Sequence, residues 1–112
     1  MKRKHRGEHI KADIIEIAVE RIVQAVAPVR IILFGSTARG EAGVNSDLDV
    51  LIVMRSGAHR RQTAQKIYRA LFGIGYAVDV VVVTEDDLKR QRQNPGMIIG
   101  TAMDEGRELY AA

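Results

Sequence analysis

Across residues 10–26 the apolar side chains Ile10, Ile14, Ile17, Ala18, Ile22 and Val26 return at steps of three and four, with Asp13, Glu16, Glu20, Arg21 and Gln24 between them. That spacing predicts an amphipathic helix, and Pro28 ends it. Residues 29–34 and 50–54 are short aliphatic runs closed by Gly35 and by Ser56-Gly57, and both predict buried strands. Helical spacing resumes over residues 59–72 through Ala64, Ile67, Ala70 and Leu71, with Gly73 as the expected stop. Residues 77–83 predict a third strand. Thr84 followed by Glu85, Asp86 and Asp87 has the composition of a helix start, a Thr cap with acids at the positive end of the dipole. Beyond Asn94-Pro95 a short helix is expected over residues 96–105, then Gly106 and a short apolar tail at Leu109 and Tyr110.

This order of elements describes an α/β (α+β) domain, a small mixed three-stranded sheet of order 1-2-3 flanked by helices. The helix between strands two and three is long enough for a parallel crossover, whereas residues 35–46 are too few for one and favour an antiparallel pair. The starts of strands two and three and the end of strand one then share one edge of the sheet. Asp47 and Asp49 open the second strand, Asp79 lies early in the third, and Gly35-Ser36 follows the first.

Residues two apart on a strand face the same side, so Asp47 and Asp49 present like charges together, and Asp79 adds a third. Their repulsion calls for raised pKa values or a cation. Carboxylate oxygens suit a hard ion, Mg²⁺ or Mn²⁺, and two such ions about 4 Å apart form the clamp of in-line phosphoryl or nucleotidyl displacement. The plainer account makes the aspartates turn and cap residues beside Asn45-Ser46. It suffices for one aspartate, but unpaired carboxylates are rarely gathered from two strands without a partner charge. Gly35-Ser36 after a strand can cradle a phosphate, since glycine allows close backbone approach and Ser36 offers a hydroxyl, or Ser36 can simply cap a helix. Arg39 can complement phosphate charge or pair with Glu41. No Gly-Lys-Ser/Thr follows, so this is not a Walker loop.

Gly35-Ser36-Thr37-Ala38-Arg39-Gly40, then Ser46-Asp47-Leu48-Asp49 before an aliphatic strand, with Asp79 in Val78-Asp79-Val80-Val81, resembles the signature of the minimal nucleotidyltransferases of the DNA polymerase β-like superfamily. The resemblance runs from the first helix to Gly106. It implies that Gly35 and Ser36, with Arg39 and Ser46 beside them, hold the triphosphate of ATP or another NTP. It also implies that Asp47 and Asp49 bridge two Mg²⁺ ions, and that Asp79 binds one ion and helps activate the attacking hydroxyl. Small members of the family act as antitoxins of HEPN-domain toxins, in some cases by adding AMP to a tyrosine of the toxin. No second domain is in view to bind an acceptor, so a partner protein would supply part of the site. Two other functions fit the same residues: an antitoxin that neutralises its partner by occlusion without catalysis, and a small-molecule nucleotidyltransferase.

Composition narrows this further. The chain has 112 residues, the size of one domain with one core, and residues 1–8 are expected to form a flexible basic tail. There is no cysteine, which excludes thiolate metal sites and fits a reducing compartment. No apolar signal region follows the basic start and no run approaches membrane-spanning length, so a cytoplasmic location is expected. The net charge of +3 is concentrated near the N-terminus and in Arg55, Arg60, Arg61, Lys66 and Arg69. Nucleic acid is therefore open as a partner but not favoured, because neither cluster interleaves aromatics and a solvated helix face explains the second. His5 and His9 are four apart within the basic tail, His59 stands in a loop without a ligand partner, and Tyr68 and Phe72 are expected to pack on the crossover helix. Met97 and Met103 suit a core or an adaptable partner surface.

Overall fold

The computed structural model describes residues 6–35, 48–93 and 105–112. Helix α1 (Arg6–Val26) starts four residues before the expected position, so Arg6, Gly7 and Glu8 are helical rather than part of a tail. Ala18 and Ile22 are buried, and Ile14, Ile15, Val19, Val23 and Val26 pack partly buried around them. Ile17 falls on the opposite side of the helix from that stripe and is 40% exposed. The helix ends as Ala27 turns left-handed, φ 47°, with its N–H donating to the Val23 carbonyl at 3.0 Å, ahead of a buried Pro28.

Strand β1 (Arg30–Phe34) pairs antiparallel with β2 (Leu48–Met54), which pairs parallel with β3 (Val78–Thr84) through the crossover helix α2 (Arg60–Ala70). The two connections expected from the linker lengths are therefore present, and the order 1-2-3 holds among these strands. Among the described residues the sheet nevertheless has four strands, in order β3-β2-β1-β4. The segment expected as an apolar tail is strand β4 (Arg107–Ala111), antiparallel on the free edge of β1. Its sequence, Arg-Glu-Leu-Tyr-Ala, lacks the alternation that marks a half-buried strand, and the structure shows why. The register shifts between Ile31 and Ile32, an irregularity that leaves Leu109 without a direct partner. Leu109 and Tyr110, adjacent in sequence, both pack against the same core cluster. Arg30 on β1 donates from Nε to Glu108 Oε1 at 2.7 Å, an exposed cross-strand pair.

The sheet is buried on both faces. On one, Ile31, Leu33, Leu48, Val50, Ile52 and Met54 meet Ala18 and Ile22 of α1, Ile67 of α2 and Leu71 at its end. On the other, Ile32, Leu51, Val53 and Val83 pack with Leu88 of helix α3 (Glu85–Gln93). Such double burial accounts for the nearly unbroken apolar run of β2.

The helix ends are tied by side chains. His59, expected in a loop without a partner, is the N-cap of α2: its Nδ1 accepts from the Gln62 N–H at 3.2 Å. At the other end Arg21 Nη1 donates to the Ala70 and Phe72 carbonyls at 3.3 and 3.2 Å, two acceptors that the last helical turn leaves open. Helix α2 therefore stops at Ala70, short of Gly73. Thr84 caps α3 as expected, and Asp87 completes a reciprocal box. The Asp87 N–H donates to Thr84 Oγ1 at 3.2 Å and the Thr84 N–H to Asp87 Oδ2 at 2.9 Å. No described helix is long and apolar enough to cross a membrane. The helix expected over residues 96–105 lies, apart from Glu105, outside the described residues, as do Met97 and Met103.

Candidate active site

Leucines and valines alternate with the two acids along β2 and β3, and this alternation decides where the acids sit. Leu48 and Val50 pack under α1 and α2, so Asp49 between them belongs to the opposite face, with Leu51. The same holds for Asp79 between Val78 and Val80. Asp49 and Asp79 are direct register partners on the parallel pair β2 and β3. Two carboxylates thus occupy neighbouring strands on one face, at the end where both strands begin. Asp49 is half-buried and Asp79 exposed.

The antiparallel pairing brings β1 to the same place. Phe34, its last residue, is the register partner of Asp49. Gly35 follows with φ +77°, and a Cβ added to it would lie 2.5 Å from Asp49 Oδ2 and 3.3 Å from its carboxyl carbon. The backbone after β1 therefore runs against the Asp49 carboxylate at a distance that only glycine permits. Gly35, Asp49 and Asp79, three of the residues expected at the site, are assembled. Ser36, Arg39, Ser46 and Asp47 lie outside the described residues. Among the described residues no group of three acids or histidines stands together as a metal site. The donors that are described, two carboxylates on one face, match in kind the oxygen ligands of Mg²⁺ or Mn²⁺.

One contact next to the site leaves no mark in the sequence. Tyr68, expected to pack on α2, is 48% exposed, and its hydroxyl accepts the Val80 N–H at 3.0 Å. Among the described residues β3 is an edge strand, with no neighbouring strand to take its outward N–H groups. Tyr68 reaches from α2 round that edge and holds the backbone one residue after Asp79. Nothing in the spacing of Tyr68 and Val80 marks this, because it depends on which strand ends at the edge. Phe72, also expected to pack, is 87% exposed.

The second cationic cluster is in part structural. Arg60 donates from Nε to Asp87 Oδ2 at 2.9 Å and from Nη2 to Oδ1 at 2.7 Å, and Arg90 also pairs with Asp87. The Arg60 guanidinium, with help from the Thr84 N–H and Arg90, holds the Asp87 carboxyl well below the usual carboxylate range against the opposing effect of burial. This network locks α2 to α3 where β3 ends, at the opposite end of the sheet from the two acids, so Arg60 is committed to the fold.

A family model for the nucleotidyltransferase domain matches residues 13–109, which include Gly35, Asp49 and Asp79. The chain belongs to this family. The nucleotidyltransferase domain has the mixed α/β architecture of the polymerase β-like fold, with β4 added to the three strands expected. No curated protein sequence matches it. Among solved structures it is similar to a Sulfolobus solfataricus protein assigned as a nucleotidyltransferase. That protein is 18% identical, at TM-score 0.64, over 99% of this chain and 92% of the other. It is also similar to a toxin-antitoxin structure with AMP-PNP, 23% identical at TM-score 0.54, over 85% of this chain and 72% of the other. A third is the toxin-antitoxin MntA-HpeT carrying aspartate-to-glutamate substitutions, 19% identical at TM-score 0.57, over 88% and 73%. At these identities the likeness is one of fold.

Proposed function

We propose that this nucleotidyltransferase domain transfers AMP from ATP to a hydroxyl of a partner protein, a tyrosine of a HEPN-domain toxin, and so acts as that toxin's antitoxin. The observation that carries the reading is the register pairing of Asp49 with Asp79 on one face, with the Gly35 backbone against Asp49. Membership of the family supports nucleotidyl transfer. The similarity in fold to toxin-antitoxin structures, one of them with AMP-PNP, supports the partner and the nucleotide.

In this proposal Asp47, Asp49 and Asp79 would hold two Mg²⁺ ions, which when bound would supply charge neutralisation at the phosphates and a lowered pKa at the attacking hydroxyl. Gly35 and Ser36, with Arg39 and Ser46, hold the triphosphate. Asp79, the exposed carboxylate at the sheet edge, would help activate the tyrosine hydroxyl by taking its proton. The phenolic oxygen bonds to the α-phosphorus as the bond to the bridging oxygen breaks, and pyrophosphate leaves with that electron pair.

The test is transfer of label from α-labelled ATP to the co-purified partner, read by mass spectrometry. Wild type should add AMP units to a tyrosine, and Asp47→Asn, Asp49→Asn and Asp79→Asn should not. Equal labelling by the variants would exclude catalysis at this site. Neutralisation of the toxin by all three variants, without labelling by any protein, would instead assign a binding module.

A further inference from the structure

The least ordinary surface residue among those described is Phe72, 87% exposed and yet firmly placed. Its N–H donates to the Arg69 carbonyl at 3.2 Å and its own carbonyl accepts from Arg21 at 3.2 Å. Gly73 then turns the chain away at φ +80°. The ring is therefore presented on a held backbone rather than on a loose loop. Tyr68, one turn earlier, is half-exposed. Arg69, on a helix that carries no acidic residue, and Arg21 of α1 both bond to the Phe72 backbone, so two cations flank the ring.

A complementary feature stands on the other flank of α1. Ala12, Ile15, Val19 and Leu109 line an open apolar groove of about 280 Å³ between α1 and β4, rimmed by Glu16 and Glu20. Its existence depends on the irregular register of β4, which lets Leu109 pack toward α1. Positions 12, 16 and 19 lie roughly opposite position 21 around a helix of 3.6 residues per turn. Phe72, seated beside Arg21, therefore cannot reach the groove of its own chain. Ile17, 40% exposed, lies on the outer face between the two.

We propose that the occupant of the groove is a second copy of this chain. A two-fold arrangement across the outer face of α1 places each copy's Phe72 in the other's groove, with Ile17 near the axis. The same surface then serves both subunits, as a closed dimer requires. The cations around Phe72 meet Glu16 and Glu20 at the rim, so charge as well as shape is matched. A buried aromatic anchor ringed by charged residues is the usual anatomy of an interaction hot spot. The site acids lie on the opposite face of the sheet from α1, so this association leaves them accessible, and it does not depend on the catalytic reading.

Sedimentation velocity of the purified chain over a wide dilution series tests the proposal, with Phe72→Ser and Val19→Arg as variants and circular dichroism melts as the control for folding. Wild type should show a monomer-dimer equilibrium, and each variant should weaken it at least several hundredfold, roughly thirtyfold for each of the two symmetry-related anchors lost. Mixing the two variants should recover part of the dimer, because the knob of one and the groove of the other remain intact. A variant that fails to fold in isolation is replaced by Glu16→Lys, which should weaken dimerisation and be rescued by Arg69→Glu. The proposal is overturned by a wild-type chain that stays monomeric throughout. It is equally overturned by variants that dimerise normally or by failure of the mixture to recover dimer.

Discussion

Asp49 and Asp79 occupy one register position on neighbouring parallel strands, with their side chains on the same face of the sheet. Adjacent strands lie about 4.8 Å apart, so the pair carries like-charge repulsion that a divalent cation relieves. Asp79→Asn should therefore leave the metal-free melting temperature unchanged or slightly higher while reducing nucleotidyl transfer by at least about a hundredfold. Mg²⁺ should raise the melting temperature of wild type and have little effect on the variant. Thermal melts with and without Mg²⁺, alongside the labelling assay, measure both.

Gly35→Ala should be costly in two ways. A left-handed conformation costs a side-chain-bearing residue about 1–2 kcal/mol, and the added methyl would meet Asp49 Oδ2 at 2.5 Å. The variant should lose stability by at least that amount in urea unfolding. Asp49→Ala in the same chain removes the clash but not the backbone strain, since the Asp49 Cβ itself lies at an ordinary 3.5 Å. Part of the loss should therefore return in the double variant. Full recovery would show that the backbone conformation is not strained.

Asp87 should govern acid stability. Its carboxyl, held far below the ordinary range chiefly by Arg60, has a lower pKa in the folded chain than in the unfolded one. Its stabilising contribution is thus complete above the unfolded value of about 3.9 and is lost as pH falls below it. Asp87→Asn should cost about 2 kcal/mol at neutral pH, the scale of a buried hydrogen bond to a charged group. The variant should also show a shallower loss of stability between neutral pH and pH 3 than wild type. Denaturant unfolding at a series of pH values checks the slope.

Tyr68→Phe removes only the acceptor of the Val80 N–H. The Val80 amide should exchange with solvent faster, and global stability should fall by about 1 kcal/mol or less because water can replace the hydroxyl at an edge. Transfer activity should fall further than that small loss explains if the contact fixes the backbone beside Asp79. Amide exchange by NMR and the labelling assay separate the two effects.

Much of this architecture is legible in the chain because local and long-range signals agree there. β2 and β3 are aliphatic enough to be buried, and the helix between them has the length of a crossover, so Asp49 and Asp79 fall together without knowledge of coordinates. The twelve residues between Gly35 and Leu48 are too few to turn a strand parallel, and this brings Gly35 to Asp49. What was hidden rests on pairings between distant residues. β4 carries Arg107 and Glu108 against a shifted register, so neither its apolar content nor its period marks it as a strand. Tyr68 and Phe72 have the spacing of packed neighbours, and only the position of β3 at the sheet edge and of Arg21 at the end of α2 shows that they face outward. His59 looked idle because capping depends on the backbone that follows.

The irregular pairing of β1 with β4 has a further consequence for how the molecule opens. The β2-α2-β3 unit closes over a short stretch of chain, while the contact of Arg30 with Glu108 spans 78 residues. Closing so long a loop carries a larger entropic cost, offset here by only five residues of mostly exposed strand. β4 should therefore form late and detach first, as a local unfolding event that costs less than unfolding the whole domain, which amide exchange along β1 would read. Each such excursion uncovers the hydrogen-bonding edge of β1, the strand that leads to Gly35, and dismantles the groove beneath α1. The lifetime of that last strand thus sets how long the domain presents a complete surface to anything that binds it.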